Sequence, residues 1–441
     1  MARSALFTME DAKAAFNLFC CVYGIGTLGM PGNFSLAGPV IAVIAMAFMA
    51  FANTYSSVAI CRVMLLAPRS VKTYGDLGEW CMGKPGRYLS VISQMANCLL
   101  VPCVFLVLGG TLLDGLFPGA FSSTTWIILM ALTCLPVCLV PTLKEGAGAA
   151  FAGCMGTLIA DIIGVSVVMY GMRGHPSVPS PELSFKQVAG AFGNLALAYG
   201  AGIVIPALQR QHSDPTHLGQ PVVVDLPGLG DWPDHPGLSS DWGAVVLAYL
   251  FMQLHITIAF SVILNPAFYI SERIVLGMHK SPVADVENNL MSYADAATPA
   301  DGAEQSEKES RASKRSFISV ADNENVHLGE PEAEAAEYRG ANAIKYVILR
   351  VVIIVILVIA SVLLKDHFSD LSDFVGASGI MVNSILLPIV FLLKKKWGVL
   401  PMWEKIPALI VVVVCFCLGC YVTYTSGKNL FAPSDDDTAF P

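Results

Sequence analysis

Apolar residues in this chain come in long runs rather than in alternation. A helix needs about 20 apolar residues to cross the hydrocarbon core of a bilayer. Runs near that length fall at Ala14–Pro31, Val40–Ile60, Leu89–Gly110, Trp126–Val140, Ala147–Tyr170, Val188–Leu208, Gly243–Ile270, Ile344–Leu364, Phe374–Leu393 and Pro407–Thr425. They predict ten spans of an all-α polytopic membrane protein. The Trp126 run is short and needs its polar flanks to complete a crossing. Residues 1–280 hold the first seven spans and 341–426 the last three, with a polar tail over 427–441. Residues 281–340, between the two groups of spans, are rich in Glu, Ala, Ser and Asn with few aromatics, a composition that predicts a disordered loop.

Composition agrees with the pattern. Of 441 residues, 55% are hydrophobic and 14% charged, against about 25% charged in a soluble chain. Mean hydropathy is +0.62, more apolar surface than one water-soluble core could hide. The net charge of −8 is local, because residues 281–340 contain 13 Asp/Glu and 5 Lys/Arg. The rest of the chain is neutral and has no basic stripe for nucleic acid. Ten of the twelve cysteines lie inside apolar runs, where Cys is a small hydrophobe, and Cys61 and Cys81 border the first polar loop. No CxxC pair lies near a His with zinc spacing, so neither a metal nor another cofactor is expected. The first run is long and Gly-rich and is read as a retained helix rather than a cleaved signal.

Lys and Arg in short loops set the orientation. Arg62, Arg69, Lys72, Lys84 and Arg87 follow the second span, and Lys144 and Arg210 follow the fourth and sixth, which puts the N-terminus in the cytoplasm. Arg173 and Lys186, after the fifth, are a mild exception. Parity then fails. One crossing after Arg210, the loop beginning Arg273 and Lys280 should be outside, yet it is basic at its start, and Lys394–Lys396 repeats the conflict. One missing crossing between Arg210 and Trp242 would resolve both. That interval contains Pro215, Pro221, Pro227, Pro233 and Pro236 and cannot span a bilayer, so either a helix has been lost from this sequence or one of the ten runs is re-entrant.

Two spans are badly made as plain helices. The first carries Gly24, Gly26, Gly29 and Pro31 in mid-run, and the sixth carries Gly190, Gly193, Gly200, Gly202 and Pro206. Small residues also serve close helix packing. These two spans, however, lie five apart, and interrupted spans at matching places in two halves mark inverted-repeat transporters. Backbone left unpaired in hydrocarbon costs several kcal/mol, so an unwound stretch persists only where it lines a polar site. A half-helix N-terminus suits a carboxylate and freed carbonyls suit an ammonium group or cation, so an amino acid meets both.

Four segments carry a resemblance. Asn17 with Gly24-Ile25-Gly26 and Leu28-Gly29-Met30-Pro31 resembles the first helix of the amino acid/auxin permease family, Phe192-Gly193-Asn194 with Ala198-Tyr199-Gly200 its sixth, Asn265-Pro266 through Glu272 the end of its eighth, and Phe368-Ser369-Asp370-Leu371 with Val375-Gly376-Ala377-Ser378 and Leu387-Pro388 its ninth-to-tenth junction. The resemblance implies a LeuT-like transporter of five-plus-five inverted repeats with discontinuous first and sixth helices, eleven helices in all. It also implies that the main chain of Gly24, Ile25, Gly26 and Thr27 receives a substrate carboxylate. Tyr199, Gly200 and Ala201 would face the amino group and side chain, and Asn17 would lie near the ion path. An interhelical hydrogen bond is an equally good account of Asn17. Only ten spans are evident, and the missing crossing corresponds to helix seven of the family.

Asp161 lies mid-span without a nearby cation. It is a proton-coupling candidate, against a neutral, hydrogen-bonded structural role. His255 is the one histidine deep in a span and reads as a packed side chain bonded to a neighbouring helix, which argues against a membrane-embedded enzyme. The expected partners are an amino acid and the lipid bilayer, with H+ or Na+ as coupling ion and the chain acting as a monomer. The plasma membrane and the vacuolar or lysosomal membrane fit equally. A non-transporting sensor or inactive paralogue is the alternative, because of the missing crossing.

Overall fold

The computed structural model describes residues 15, 18, 22, 34–35, 37–68, 71, 73–140, 147–171, 183–200, 202, 204–206, 209, 243–278, 338 and 341–431. Gly24, Ile25, Gly26, Thr27, Asn17 and Ala201 lie outside them, as do residues 210–242 and the acidic loop apart from Tyr338. Every regular element among the described residues is helical. Five of these helices are long and apolar enough to cross a membrane.

Helix α1 (Pro39–Leu66) starts with Pro at its first turn, just after Gly38 in a left-handed conformation, φ 73°. Proline suits that position because the first N–H groups of a helix have no intrahelical partner. The small residues Ala42, Ala45, Ala52, Ser56 and Ala59 face inward, while Val40, Ile44 and Phe51 are exposed. This inside-out distribution suits lipid, where close packing rather than hydrophobic exclusion joins helices.

A short helix that the apolar runs do not announce, α2 (Tyr74–Met82), occupies the loop after α1. Its capping box runs between Thr73 and Asp76. Lys395 lies 3.6 Å above its Trp80 ring. Burial pushes the Cys81 thiol up to about 11, against the opposing pull of Lys395 and Lys394. Helices α3 (Lys84–Leu116), α4 (Ser123–Cys138) and α5 (Ala147–Gly171) follow. Helix α4, of 16 residues, is as short as its apolar run.

Helix α6 (Phe185–Ala198) begins the sixth span, α7 (Gly243–Ser271) forms the seventh and α8 (Ala341–Leu364) the eighth. The ninth span has three parts: α9 (Phe368–Val375), a π-helix over Gly376–Leu386, and α10 (Leu387–Lys396). Helix α11 (Met402–Leu430) is the last among the described residues, and the last span continues a few residues into the segment read as tail.

The chain divides into two compact units. The larger comprises residues 1–138, 143–265 and 354–441, and the smaller 139–142 and 266–353. In the larger, one core joins α1, α2, α6, the π-helix and α11 through Met49, Ile60, Leu77, Leu195, Tyr199, Met381 and Val411. Arg62 bonds Glu404 at 2.6 Å along its edge.

The smaller unit is organised by a buried charge pair. Arg350 Nε donates to Glu272 Oε1 at 2.7 Å, with the side chains 1% and 0% exposed. Tyr338 Oη donates to Glu272 Oε2 at 2.9 Å, and Arg350 donates to the Val140 carbonyl at 3.0 Å. The rings of Phe268, Tyr346 and Tyr338 lie 4.9, 5.1 and 5.6 Å from the guanidinium.

Candidate functional site

The sixth span is discontinuous, as its composition requires. Helix α6 opens with a capping box in which Ser184 Oγ accepts from Gln187 N, and Gln187 Oε1 accepts from Ser184 N. Its last regular bond is Tyr199 N to Leu195 O, at 3.1 Å. Gly200 has no regular structure, Gly202 and Val204 are in turns, and helix resumes at Ile205 and Pro206. Pro206 has no N–H with which to bond the Gly202 carbonyl, and the glycines lower the cost of leaving the helix.

The break is braced by the π-helix. A Cβ on Gly200 would stand 2.6 Å from Ile380 Cγ2, and one on Gly202 would stand 2.8 Å from Ser384 Cα. Two turns earlier, a Cβ on Gly193 would stand 2.9 Å from the Asp373 carbonyl oxygen, and one on Gly376 would overlap the Gly193 carbonyl. At Gly193, Gly202 and Gly376 main chain therefore approaches main chain, which only glycine allows. A π-helix of 11 residues exceeds the single-turn bulges in which this geometry mostly occurs, frequently at functional sites.

Helix α3 lies against a neighbouring face of the same π-helix. Asn97 Oδ1 fills the place that a side chain on Gly379 would take. One turn away, Ser93 Oγ bonds Asn383 Oδ1 at 2.6 Å and Tyr74 Oη donates to the Asn383 carbonyl at 2.7 Å. Gly379 and Ile380 are consecutive, so the Asn97 amide and the Gly200 backbone flank one turn of the π-helix. From the first span, Leu18 belongs to the same core as Tyr199 and Met381, and Val22 packs on it.

Of the residues singled out from sequence, Tyr199 and Gly200 therefore sit at the break. Asp161 is buried on a different helix, α5. Helix α5 packs on α7 through Gly153 and Gly156, against His255, Ile258 and Phe251. His255 is packed as expected, but its Nδ1 has no hydrogen-bond partner among the described residues. Ser261 bonds the Val137 carbonyl at 3.3 Å. Sequence reasoning missed Asn97, Asn383 and Ser384. Their signal was a polar side chain on an otherwise apolar face, which on its own reads equally well as a packing hydrogen bond. Among the described residues, no group of three or more His, Cys, Asp or Glu converges to hold a metal.

Comparison with solved structures places this geometry in a known fold. Over 94% of this chain and 98% of the other, the structure resembles MhsT, solved in complex with L-phenylalanine, at a TM-score of 0.53 and 11% identity. The fold is the LeuT-like one. Amino acid transporter AVT1I of Arabidopsis thaliana is 37% identical over 108 residues, 24% of this chain and 26% of that protein. Amino acid transporter ANT1 of the same plant is 30% identical over 120 residues, 26% and 28% of the two chains. The matched stretches span about a quarter of the length of these relatives. A family model, described as transmembrane amino acid transporter protein, matches residues 10–224 and 237–430. With nearly the whole chain covered, this integral membrane protein belongs to the transmembrane amino acid transporter family.

Proposed function

We propose that the protein is a secondary active transporter that moves amino acids across a membrane by alternating access around the broken sixth span. The observation that carries the proposal is the break at Gly200, Gly202 and Val204, where backbone outside regular helix meets the π-helix within a family of amino acid transporters. In this reading the main chain of Gly24, Ile25, Gly26 and Thr27 receives the substrate carboxylate. Tyr199, Gly200 and Ala201 take its amino group and side chain. Transport is driven by a proton or sodium gradient, with Asp161 the candidate proton carrier and Asn17 the residue nearest the ion path. The N-terminus faces the cytoplasm, and the host is the plasma membrane or a vacuolar or lysosomal membrane.

The test is uptake of labelled amino acids into proteoliposomes of purified protein, under an imposed pH gradient and, separately, a sodium gradient. Accumulation that follows one gradient supports the proposal, and accumulation under neither rejects gradient-driven transport. A second reading, an amino acid sensor that binds without transporting, is favoured by one observation. Residues 212–241 are Pro- and Asp-rich where the parity of the spans calls for a crossing. Under that reading the protein binds amino acids while uptake stays at background.

A further inference from the structure

The break in the sixth span is surrounded by side chains whose polar groups have no partner among the described residues. Both amide atoms of Asn97 are unbonded, as are the hydroxyls of Tyr199 and Ser384 and the amide nitrogen of Asn383. Asn97, Ser384 and Asn383 are 1%, 1% and 0% exposed, and Tyr199 5%. A buried polar group left unbonded costs about 1–3 kcal/mol, so four such residues where α3, the π-helix and the end of α6 pack together call for a ligand. Their placement agrees. Tyr199 is the last residue before the break, Ser384 lies against Gly202 within it, and Asn97 reaches the turn of the π-helix whose Ile380 touches Gly200. Ser93 donates to Asn383 Oδ1, which leaves the Asn383 amide nitrogen as the free end of that side chain.

We infer that these groups form a subsite for the side chain of the transported amino acid, selecting polar, uncharged side chains that end in a carboxamide or hydroxyl. The inference rests on the amino acid transport reading given above. The chemistry of the groups fixes the class. An asparagine amide offers two donors and one acceptor, and a hydroxyl can donate or accept, so together they complement a group that itself does both. None of the four is charged. A cationic or acidic side chain placed against them would meet no counter-charge and would lose its hydration. An apolar side chain would leave the amide and hydroxyls unbonded, the condition under which a site built for hydrogen bonding discriminates most strongly.

The test measures dissociation constants of L-glutamine and L-leucine, from the ligand-dependent shift in melting temperature of the purified protein. It compares the wild type with Asn97→Leu and Ser384→Ala. Leucine keeps the branched shape of asparagine and removes its hydrogen bonds. The wild type should bind glutamine at least about tenfold more tightly than leucine, the worth of one good net hydrogen bond. Asn97→Leu should reduce that ratio about tenfold, with a smaller reduction for Ser384→Ala. Should Asn97→Leu fail to fold, Ser384→Ala decides alone. A wild-type ratio near one, or a ratio the variants leave unchanged, overturns the subsite while amino acid transport stands. A wild-type protein that neither binds nor takes up amino acids overturns both.

Discussion

At Gly376, a single hydrogen in place of a side chain sets how closely α6 and the ninth span approach. The Gly193 carbonyl occupies the space a methyl group would need, and the obstacle is backbone that cannot rotate away. Gly376→Ala should therefore lower stability by about 1–3 kcal/mol or more, the usual cost of overpacking. Gly398→Ala, where nothing lies within 4 Å of the added carbon, should stay within about 0.5 kcal/mol. Melting temperatures of the two variants in one detergent check this, and equal values would contradict the contact. Asp161 poses a different question. If it carries the coupling proton, Asp161→Asn should abolish the response of uptake to an imposed pH gradient, and an unchanged response would remove it from the mechanism. Residue chemistry was partly legible in advance. Gly200, Gly202 and Pro206 break a helix through their own covalent structure, so that break could be read from sequence. Asn97 acquires meaning only from Gly379, 282 positions on, and no local pattern connects the two.

Between elements, the buried Glu272–Arg350 pair bears most on stability. Both charges are desolvated, Tyr338 donates to the second carboxylate oxygen, and the Val140 carbonyl accepts from the guanidinium. Removing one partner strands the other, so Arg350→Met should destabilise by about 3–5 kcal/mol. The double variant Glu272→Leu with Arg350→Met should be less destabilised than Arg350→Met alone, because no uncompensated charge remains. Chemical denaturation of both proteins measures the difference, and a double variant weaker than the single would refute the account. The sequence marked Glu272 by resemblance but gave no hint of its partner. The elements themselves were more legible. Spans two to five, seven, eight and ten appear as helices close to their apolar runs, because length and hydrophobicity are local properties. The π-helix was not legible. It packs against Gly193, Gly200 and Gly202, and it leaves no periodicity in the composition of Gly376–Leu386. Helix α2 was overlooked because nine residues make too short a run to read as a span, although Thr73 and Asp76 spell its capping box.

For the whole molecule, family membership and the LeuT-like fold agree with the interrupted spans, while the region after Arg210 stands apart. The family match pauses over residues 225–236, inside the stretch where one crossing is wanting. Sequencing transcripts across Arg210–Trp242 should reveal about 20 apolar residues if a helix has been lost from this sequence. An unchanged reading would make the odd count of crossings a property of the protein and would strengthen the sensor alternative. The measurement that tests the central claim most directly is counterflow. Proteoliposomes of the purified protein are loaded with unlabelled amino acid, and labelled amino acid is supplied outside. The wild type should accumulate label transiently, because a site that alternates between two sides exchanges its cargo without any ion gradient. Gly200→Val, whose side chain would enter the space of Ile380 at the break, should not. Amino acid binding by the wild type without counterflow would contradict alternating access at this site.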